Sequence, residues 1–389
     1  MQLEVKRPDH IVPSYSLTGD LLSYLRCPLR YRYENGSSLP PSRPVQQWFG
    51  EFLHGSLELA FHFWNEHRDT YPLPWPCTPR EWREPAPDWA DNDIGRFADI
   101  VETSLRQQGK QARNADARNS GYHRLAVAIN ELGQHLFPLI QLTEKKVIGT
   151  RQVQAEQVAL RCSNYEVHGV IDVLTNVTLG QADRTNYIRA CIANRCPDLR
   201  GEYEVVVDYK GAHRPLISED YWEQGEWQIQ TYAWLRSRQP DSLPVAAGIL
   251  IYINELTPGN KEMENLRNGI SRNLTDVLPE PGSNDEQIIR MWRPGNDTEQ
   301  LSLRFRLQRA IRVIPVTAES IQRALQAFDN VVRLAEEDII EEAQLGNILQ
   351  AWSSCYDDED TCSACDFRHF CPRPAGVREG YLPSTPTAP

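Results

Sequence analysis

Two acidic residues and one lysine have the types and the spacing that a divalent-metal site requires. Asp208 and Lys210 lie at the end of the hydrophobic segment Tyr203–Tyr209, and the alternation of side chains along a strand puts both on one face. Asp172 lies upstream in a second hydrophobic segment. Two carboxylates that converge from neighbouring strands can hold Mg²⁺, and a lysine beside them can orient a metal-bound water and stabilise phosphate charge. Taken alone, an Asp-X-Lys string is more often an ion pair at a strand end.

Three further polar residues lie where they could serve the same site. Gln228 and Tyr232 are four residues apart in the segment Glu219–Leu235, so both project from one face of a predicted helix. Glu156 is a third acid, and it faces the same region if its segment pairs as a strand with the one that carries Asp172. The alternatives are a polar helix edge beside a core tyrosine and a solvated strand residue.

The cysteines favour metal ligation over disulfides. Nine cysteines are too few and too unevenly spaced for a disulfide framework in 389 residues, which favours a reduced compartment. Cys362, Cys365 and Cys371 follow one another closely, and short loops aim several thiolates at one point. Three ligands need a fourth, for which the candidates are Cys355 and the distant Cys27. This group predicts either a zinc site or an iron–sulfur cluster.

The elements that must position these residues follow from hydrophobic periodicity. Apolar residues at helical spacing predict helices, and alternation with a period of two predicts strands. The order strand, strand, strand, helix, strand around Asp172, Asp208 and Gln228 predicts an α/β fold with a central sheet. The predicted strands are 153–160, 167–174, 203–209 and 246–253, with another expected within 288–306; the predicted helices are 17–33, 48–64, 94–108, 123–139, 219–235 and 317–335. An ordered loop is expected at 70–93 and an irregular segment at 257–282, and residues 179–201 form a polar insertion between two strands.

The charge balance is a poor guide to the partner. The chain has 41 Lys and Arg against 53 Asp and Glu, a formal net charge of −12, which argues against a general polyanion-binding surface. The acids are concentrated within residues 334–360, where no Lys or Arg occurs, whereas residues 301–314 hold four arginines and no acid. A positive stripe is therefore expected on a negative protein. No apolar run is long enough to span a membrane and residues 1–28 lack a leader pattern, so a cytoplasmic protein is expected.

Three short strings around these candidates occur in an order typical of one group of enzymes. With them the chain resembles the PD-(D/E)XK nuclease superfamily, and within it the RecB-type exonuclease branch. The resemblance implies a restriction-endonuclease-like core in which a central mixed β-sheet is flanked by helices. The three strings are Gly169-X-X-Asp172, Asp208-X-Lys210 and Gln228-X-X-X-Tyr232.

The resemblance also implies a role for each residue of the site. The metal, Mg²⁺ or Mn²⁺, would be bound by Asp172, Asp208 and the carbonyl of Tyr209, and a histidine on an early helix, His54, would complete the site. Lys210 would position the attacking water. Gln228 and Tyr232 would orient this lysine or hold the nucleic-acid backbone. Glu156 would be an additional acid.

The cysteines resemble those of iron–sulfur nucleases in the same branch, which include AddB-type recombination nucleases and CRISPR adaptation-stage exonucleases. In these enzymes an early cysteine followed by proline joins a C-terminal Cys-X₂-Cys-X₅-Cys group around a four-iron four-sulfur cluster. The resemblance therefore implies a cluster on Cys27, Cys362, Cys365 and Cys371. The alternative is zinc on the last three together with Cys355.

By this resemblance we expect a metal-dependent deoxyribonuclease, an exonuclease that acts on single-stranded or unwound DNA ends in DNA repair and recombination or in antiviral defence. No Gly-X₄-Gly-Lys string is present, so a helicase or ATPase partner would be a separate protein. The alternative is a non-cleaving subunit that binds DNA ends or serves as a scaffold. Basic and aromatic groups would grip a single strand, and the candidates are Arg304, Arg306, Arg309 and Arg312 with Phe305, and Arg26, Arg30 and Arg32 with Tyr31 and Tyr33.

The expected organisation has five parts. A helical N-terminal region (1–150) precedes the nuclease core (151–255), which is followed by a helical or irregular extension (256–354). A C-terminal iron–sulfur region (355–375) would pack on the N-terminus, and the remaining residues (376–389) would form a flexible tail.

Overall fold

A computed structural model describes residues 12–36, 45–77, 93–152, 161, 163–180, 185–295, 301–355, 362 and 365–372. Within these ranges, six strands form one mixed sheet. The strands are β1 (Ser14–Ser16), β2 (Ile140–Gln152), β3 (Asn164–Leu179), β4 (Gly201–Lys210), β5 (Val245–Tyr252) and β6 (Ile311–Pro315).

Strand β3 is the longest and has neighbours along both edges. β2 pairs antiparallel with one edge. Along the other edge, β1 pairs in parallel with residues 166–168, and β4 pairs antiparallel with residues 173–179. β5 then lies parallel to β4, and β6 lies antiparallel to β5. Residues 169–172 of β3 therefore lie between its two partners on this second edge, without a described strand beside them.

Helices cover both faces of the sheet. In chain order, those within the described residues are α1 (Leu22–Arg26), α2 (Pro28–Gly36), α3 (Val45–His67), α4 (Ile94–Gln107), α5 (Ala115–Val127), α6 (Gly133–Leu136), α7 (Tyr187–Arg195), α8 (Asp220–Ser237), α9 (Asn260–Arg272), α10 (Asn284–Met291), α11 (Leu303–Ala310), α12 (Ala318–Leu345) and α13 (Ile348–Ala351). α3, α4 and α5 form one hydrophobic core with Val205 and Val207 of β4. α8 and α12 form the other with Val206. This alternation along β4 is the pattern of a strand covered on both faces.

The extension between β5 and β6 has a small hydrophobic core of its own. Helices α9, α10 and α11 enclose Met263, Leu266, Trp292 and Phe305. After β6 comes the long helix α12, where the Thr317 side chain accepts a hydrogen bond from the backbone of the first turn. No helix in the described ranges combines the length and the hydropathy of a membrane span.

The structure corrects several predicted elements. Residues 257–282 are predicted to be irregular, yet they contain α9, whose apolar stripe is too narrow to stand out among its charged residues. The strand expected within 288–306 is wrong for the described part of that range, which belongs to α10 and α11. The polar segment 179–201 contains α7. The helix predicted at 123–139 is interrupted, since α5 and α6 are separated by a π-helical turn and followed by a 3₁₀ turn.

The predicted first strand of the core, residues 153–160 with Glu156, lies outside the described residues. The described partner along this edge of β3 is β2, which ends at Gln152 and was not predicted as a strand. β2 buries only Val147 completely, so it shows little hydrophobic alternation. The tail expected at 376–389 also lies outside the described part of the chain.

Candidate active site

The candidate site lies where β4 separates from β3. The ladder between these strands ends at the pair Val173–Val207. Beyond it, the backbone N–H of Tyr209 donates to Oδ2 of Asp172 at 2.9 Å. A side-chain carboxylate thus accepts a hydrogen bond that a neighbouring strand would otherwise take. Because the strands diverge here, Tyr209, the middle residue of the Asp208-X-Lys210 string, lies close to Asp172.

Asp208 is buried, with 4% of its surface exposed, and is held on two sides. Gln228 Nε2 donates to its Oδ1 at 2.8 Å, and the same amide accepts from Lys210 Nζ through Oε1 at 2.7 Å. Lys210 Nζ lies 2.6 Å from Asp208 Oδ2. Burial raises the pKa of Asp208, the lysine lowers it, and the carboxylate of Asp172 raises it again. Among the described residues, Asp208 Oδ2 accepts no hydrogen bond in good geometry.

The His54 ring on α3 lies between the carbonyl of Tyr209 and the carboxylate of Asp172. Nε2 donates to Tyr209 O at 2.9 Å, and Nδ1 lies 3.3 Å from Asp172 Oδ2. Burial lowers the pKa of His54, but the carboxylates of Asp172 and Asp208 outweigh it and raise the value to about 9. The ring therefore carries a positive charge at neutral pH, at the point where the carboxylates converge.

Glu144 is a candidate that the sequence analysis did not single out. The residues that flank it on β2 pair with those that flank Asp172 on β3, so the two carboxylates lie opposite each other. One ligand atom each from His54, Glu144 and Asp172 lie within 4.8 Å of one another. Glu144 also has a φ of 48°, which is uncommon for a residue other than glycine. Burial and Asp172 raise its pKa. The additional acid predicted from the sequence, Glu156, lies outside the described residues.

Tyr232 is buried beside Gln228 and has 2% of its surface exposed. Burial raises its pKa, and a hydrogen bond with Gln228 lowers it. The glycine of the Gly-X-X-Asp string makes room for the ring, because a Cβ at Gly169 would lie 2.7 Å from Tyr232 Cε1. A ring so buried can support Gln228 but is not accessible to a nucleic-acid backbone.

The predicted cysteines meet at a second place. Cys27, Cys355, Cys362, Cys365 and Cys371 line one cleft, which we call the cysteine cleft. The backbone N–H of Cys355 lies 3.5 Å from Cys27 Sγ, and Cys362 Sγ donates to the carbonyl of Cys355 at 3.1 Å. Burial raises the pKa of Cys365 to about 11, and the neighbouring Cys27 and Cys362 raise it as well. All four cysteines of the expected cluster therefore contribute to one concave surface.

Polar contacts join the two distant parts of the chain at the cysteine cleft. The N–H of Leu29 donates to the carbonyl of Ser353 at 2.9 Å. Arg32 makes two hydrogen bonds with Glu342, at 2.5 and 2.6 Å, and the indole of Trp352 donates to the same carboxylate at 2.6 Å. Part of the acidic stretch is thus buried structure, not a solvated face.

The arginine run between residues 301 and 314 does not form the expected DNA-binding stripe. Three of its four arginines are buried and paired with acids, and Phe305 is buried too. Arg304 is exposed but lies 3.1 Å from Glu280. The buried pairs are Arg306–Glu131, Arg309–Glu255 and Arg312–Glu226.

The N-terminal candidates are also largely used within the fold. Arg30 pairs with Glu34 at 2.8 Å, and Arg32 is buried against α12. Tyr31 and Tyr33 are buried and cannot stack on a base. Of this group, only Arg26 is exposed.

The sheet is mixed and has helices on both faces, and carboxylates and a lysine lie where two of its strands diverge. These features define a restriction-endonuclease-like protein. The family model of the PD-(D/E)XK nuclease superfamily matches residues 19–188 and 197–372, and the chain belongs to this superfamily. A search among curated proteins found no match. Membership implies nuclease activity with DNA as the substrate, and nucleases of this superfamily typically use divalent metals.

The donors at the site fit such a metal. Carboxylates and a backbone carbonyl are the oxygen ligands that Mg²⁺ and Mn²⁺ prefer, and a neutral imidazole is acceptable to Mn²⁺. The buried Oδ2 of Asp208 lies 2.6 Å from Lys210 Nζ and has no other described partner, so this lysine is the group with which a bound metal would share it. The positive charge of His54 is the charge that a bound cation would replace.

Proposed function

We propose that this chain is a Mg²⁺- or Mn²⁺-dependent deoxyribonuclease of the RecB-type branch, an exonuclease that hydrolyses phosphodiester bonds at single-stranded or unwound DNA ends. One observation carries the proposal: the buried carboxylate of Asp208 is fixed between Gln228 and Lys210, beside Asp172. Hydrolysis of a phosphodiester by a metal-activated water needs such a carboxylate and a cationic group close to it.

Asp172, Asp208, the carbonyl of Tyr209 and His54 would hold the metal, with Glu144 as a further ligand from β2. When bound, the metal would polarise the phosphate and lower the pKa of a coordinated water. A ligating imidazole must be neutral, whereas the pKa of His54 is about 9 without metal. Metal binding would therefore release a proton from His54 at neutral pH.

Lys210 would position the attacking water, and Gln228 would fix Lys210. A single amide group contacts both Lys210 and Asp208, so it sets the distance between the ammonium and the carboxylate. Tyr232 would support Gln228 from the buried side.

The proposal is tested with end-labelled linear and circular single strands and a blunt duplex, in Mg²⁺, Mn²⁺ or EDTA. We expect degradation of the linear single strand from an end, no cleavage of the circle, and no activity in EDTA. Asp208→Ala and Lys210→Ala should abolish cleavage while the melting temperature shows a folded protein. A matched control is Lys110→Ala, which removes a lysine that pairs with Glu51 at 2.6 Å. Unchanged cleavage by both site variants contradicts the assignment, and binding without any cleavage supports a non-cleaving subunit instead.

We propose further that a separately encoded helicase or ATPase supplies the unwound ends, in DNA repair and recombination or in antiviral defence. The 389 residues contain no Gly-X₄-Gly-Lys string for nucleotide binding. An exonuclease specific for single strands should act on a blunt duplex only when a helicase and ATP are added. Equal degradation of the duplex without them would contradict this arrangement.

We also propose a four-iron four-sulfur cluster of mainly structural role on Cys27, Cys362, Cys365 and Cys371. The support is that one cleft gathers cysteines from both ends of the chain. Anaerobically purified protein should be brown, with broad visible absorption and bound iron. Colourless protein with one zinc per chain, lost on Cys355→Ser but not on Cys27→Ser, would favour the zinc alternative.

A further inference from the structure

Arg26 and Tyr221 form an exposed cation–π pair. The guanidinium carbon of Arg26 lies 5.7 Å from the centre of the Tyr221 ring, within the range of a cation–π contact. Tyr221 keeps 44% of its surface exposed, and Arg26 is exposed as well. Within the described residues, Arg26 makes no ion pair, in contrast to the other arginines considered for DNA binding. The pair thus offers an aromatic ring and a guanidinium that forms no ion pair in the described part of the chain.

The pair lies on the helix that carries Gln228. Tyr221 is in the first turn of α8. Gln228 follows seven residues later, which is nearly two turns of helix. Tyr221 and Gln228 therefore lie on the same face, about 10 Å apart along the axis. Gln228 in turn contacts Asp208 and Lys210. Arg26 ends α1 and directly precedes Cys27, so the pair connects the cysteine cleft to the helix of the candidate active site.

The chemistry of the pair suits a single strand of DNA. Bases of any sequence stack on an exposed aromatic ring, and arginine binds the phosphate backbone. Asp220 and Glu223 lie in the same turn of α8 and would repel phosphate, so the positive charge must come from Arg26. A distance of about 10 Å corresponds to about three stacked nucleotides.

We propose that Arg26 and Tyr221 form a subsite for single-stranded DNA, at which Tyr221 stacks on a base and Arg26 contacts the adjoining phosphate, about three nucleotides from the scissile bond. The subsite rests on the proposed function, since it assumes that DNA enters the site at Asp208. It adds a grip on the strand that does not take part in the chemistry. It also gives a role to Arg26, the exposed member of the set Arg26, Arg30 and Arg32.

The subsite is tested by binding, without cleavage, in a chain that carries Asp208→Asn. The binding constant of a fluorescent oligo-dT is measured by anisotropy over a series of salt concentrations. Tyr221→Ala should weaken binding by about 5- to 150-fold, the range for loss of one stacked base, and should leave the salt dependence unchanged. Arg26→Ala should reduce the slope of log K against log salt by about 0.7, the value for one phosphate contact on a single strand.

Two further variants separate this role from a structural one. Tyr221→Trp should bind as tightly as the parent, because a larger ring also stacks. Arg304→Ala removes another exposed arginine, one that pairs with Glu280, and it should change neither the affinity nor the slope. Melting temperatures check that each variant folds.

Two results would overturn the subsite: binding of Tyr221→Ala equal to that of the parent, or an unchanged salt slope for Arg26→Ala. Failure of the proposed function looks different. It is the absence of metal-dependent cleavage by the chain that keeps Asp208, and binding measured in the Asp208→Asn background does not depend on it.

Discussion

Gln228 contributes more to the candidate site than its neutral side chain suggests. Its amide is the only described side chain that contacts both Asp208 and Lys210 in good hydrogen-bond geometry. Asp172, Asp208, Lys210 and Gln228 could be predicted from the sequence because short-range spacing fixes the face on which each side chain lies. Glu144 could not, because its position opposite Asp172 depends on the cross-strand register, which spacing along the chain does not determine.

Gln228→Leu should separate positioning from binding. The substitution removes both contacts of the amide and leaves the Lys210 ammonium free to move, so we expect kcat to fall by about 10- to 100-fold with little change in KM. The matched control is Gln230→Leu on the same helix, whose buried amide donates instead to the carbonyl of Pro315 at 2.9 Å. Both variants should lose some stability, but only Gln228→Leu should lose kcat. If both variants lowered kcat equally, the amide of Gln228 would affect kcat only by stabilising the fold.

Glu144→Gln should weaken metal binding. One of its carboxylate oxygens lies within 4.8 Å of ligand atoms of Asp172 and His54, and its loss should reduce Mn²⁺ affinity by at least about tenfold. Titration calorimetry on metal-free protein measures this without any substrate. Glu166→Gln removes an acid of β3 that only accepts a hydrogen bond from Ser14 and should leave the affinity unchanged. An affinity unchanged in Glu144→Gln would remove this residue from the ligand set.

Among the elements, those that carry the site were the easiest to predict. The run Val205–Val207 is β-branched and buried on both faces, which makes β4 unmistakable. β2 was not predicted because it buries only Val147 completely, so it lacks the alternation that reveals a strand. Helix α9 was missed for a similar reason, since its buried face is narrow and its other residues are polar. Prediction failed where tertiary contacts, not local pattern, determine the element.

Gly169→Ala tests how tightly β3 and α8 are packed at the site. The added methyl group would lie 2.7 Å from the Tyr232 ring, so the ring or the strand must move, at a cost of about 1–3 kcal/mol in the free energy of unfolding. Because Tyr232 contacts Gln228, cleavage should also slow.

The control for this prediction is Gly50→Ala on α3. A Cβ at Gly50 meets no atom within 4 Å, and alanine favours a helix over glycine by up to about 1 kcal/mol. Urea unfolding should therefore show a loss for Gly169→Ala and a neutral or stabilising effect for Gly50→Ala. A Gly169→Ala variant as stable and as active as the parent would mean that the contact is not tight.

For the whole molecule, helix α12 connects the N-terminal segment 12–36 to the sheet. Its acidic residues contact groups from that segment and from the segments around β2 and β3, so several of the acids counted in the net charge are used inside the fold. The net charge therefore says little about the surface that meets DNA. The contacts are Asp329 with Arg151 and Tyr165, Glu336 with Arg161 and Tyr15, Asp338 with Tyr24, and Glu342 with Arg32.

Glu342→Ala should destabilise the molecule more than the same substitution at the neighbouring Glu341 does. Removal of this carboxylate leaves the buried guanidinium of Arg32 without its partner, a situation that costs about 3–5 kcal/mol. Glu341 is exposed, and Glu341→Ala should change the free energy of unfolding by less than about 0.5 kcal/mol. Chemical unfolding followed by circular dichroism measures both. Similar values for the two variants would contradict a structural role for the Arg32–Glu342 pair.

The burial of so many arginines has a practical consequence for experiments on this protein. Added salt screens exposed charges strongly and buried pairs much less, and most of the ion pairs described above have at least one buried partner. A salt titration should therefore leave the melting temperature almost unchanged while it weakens attraction to phosphate. A change in DNA affinity with ionic strength would therefore report mainly on the charges at the DNA interface.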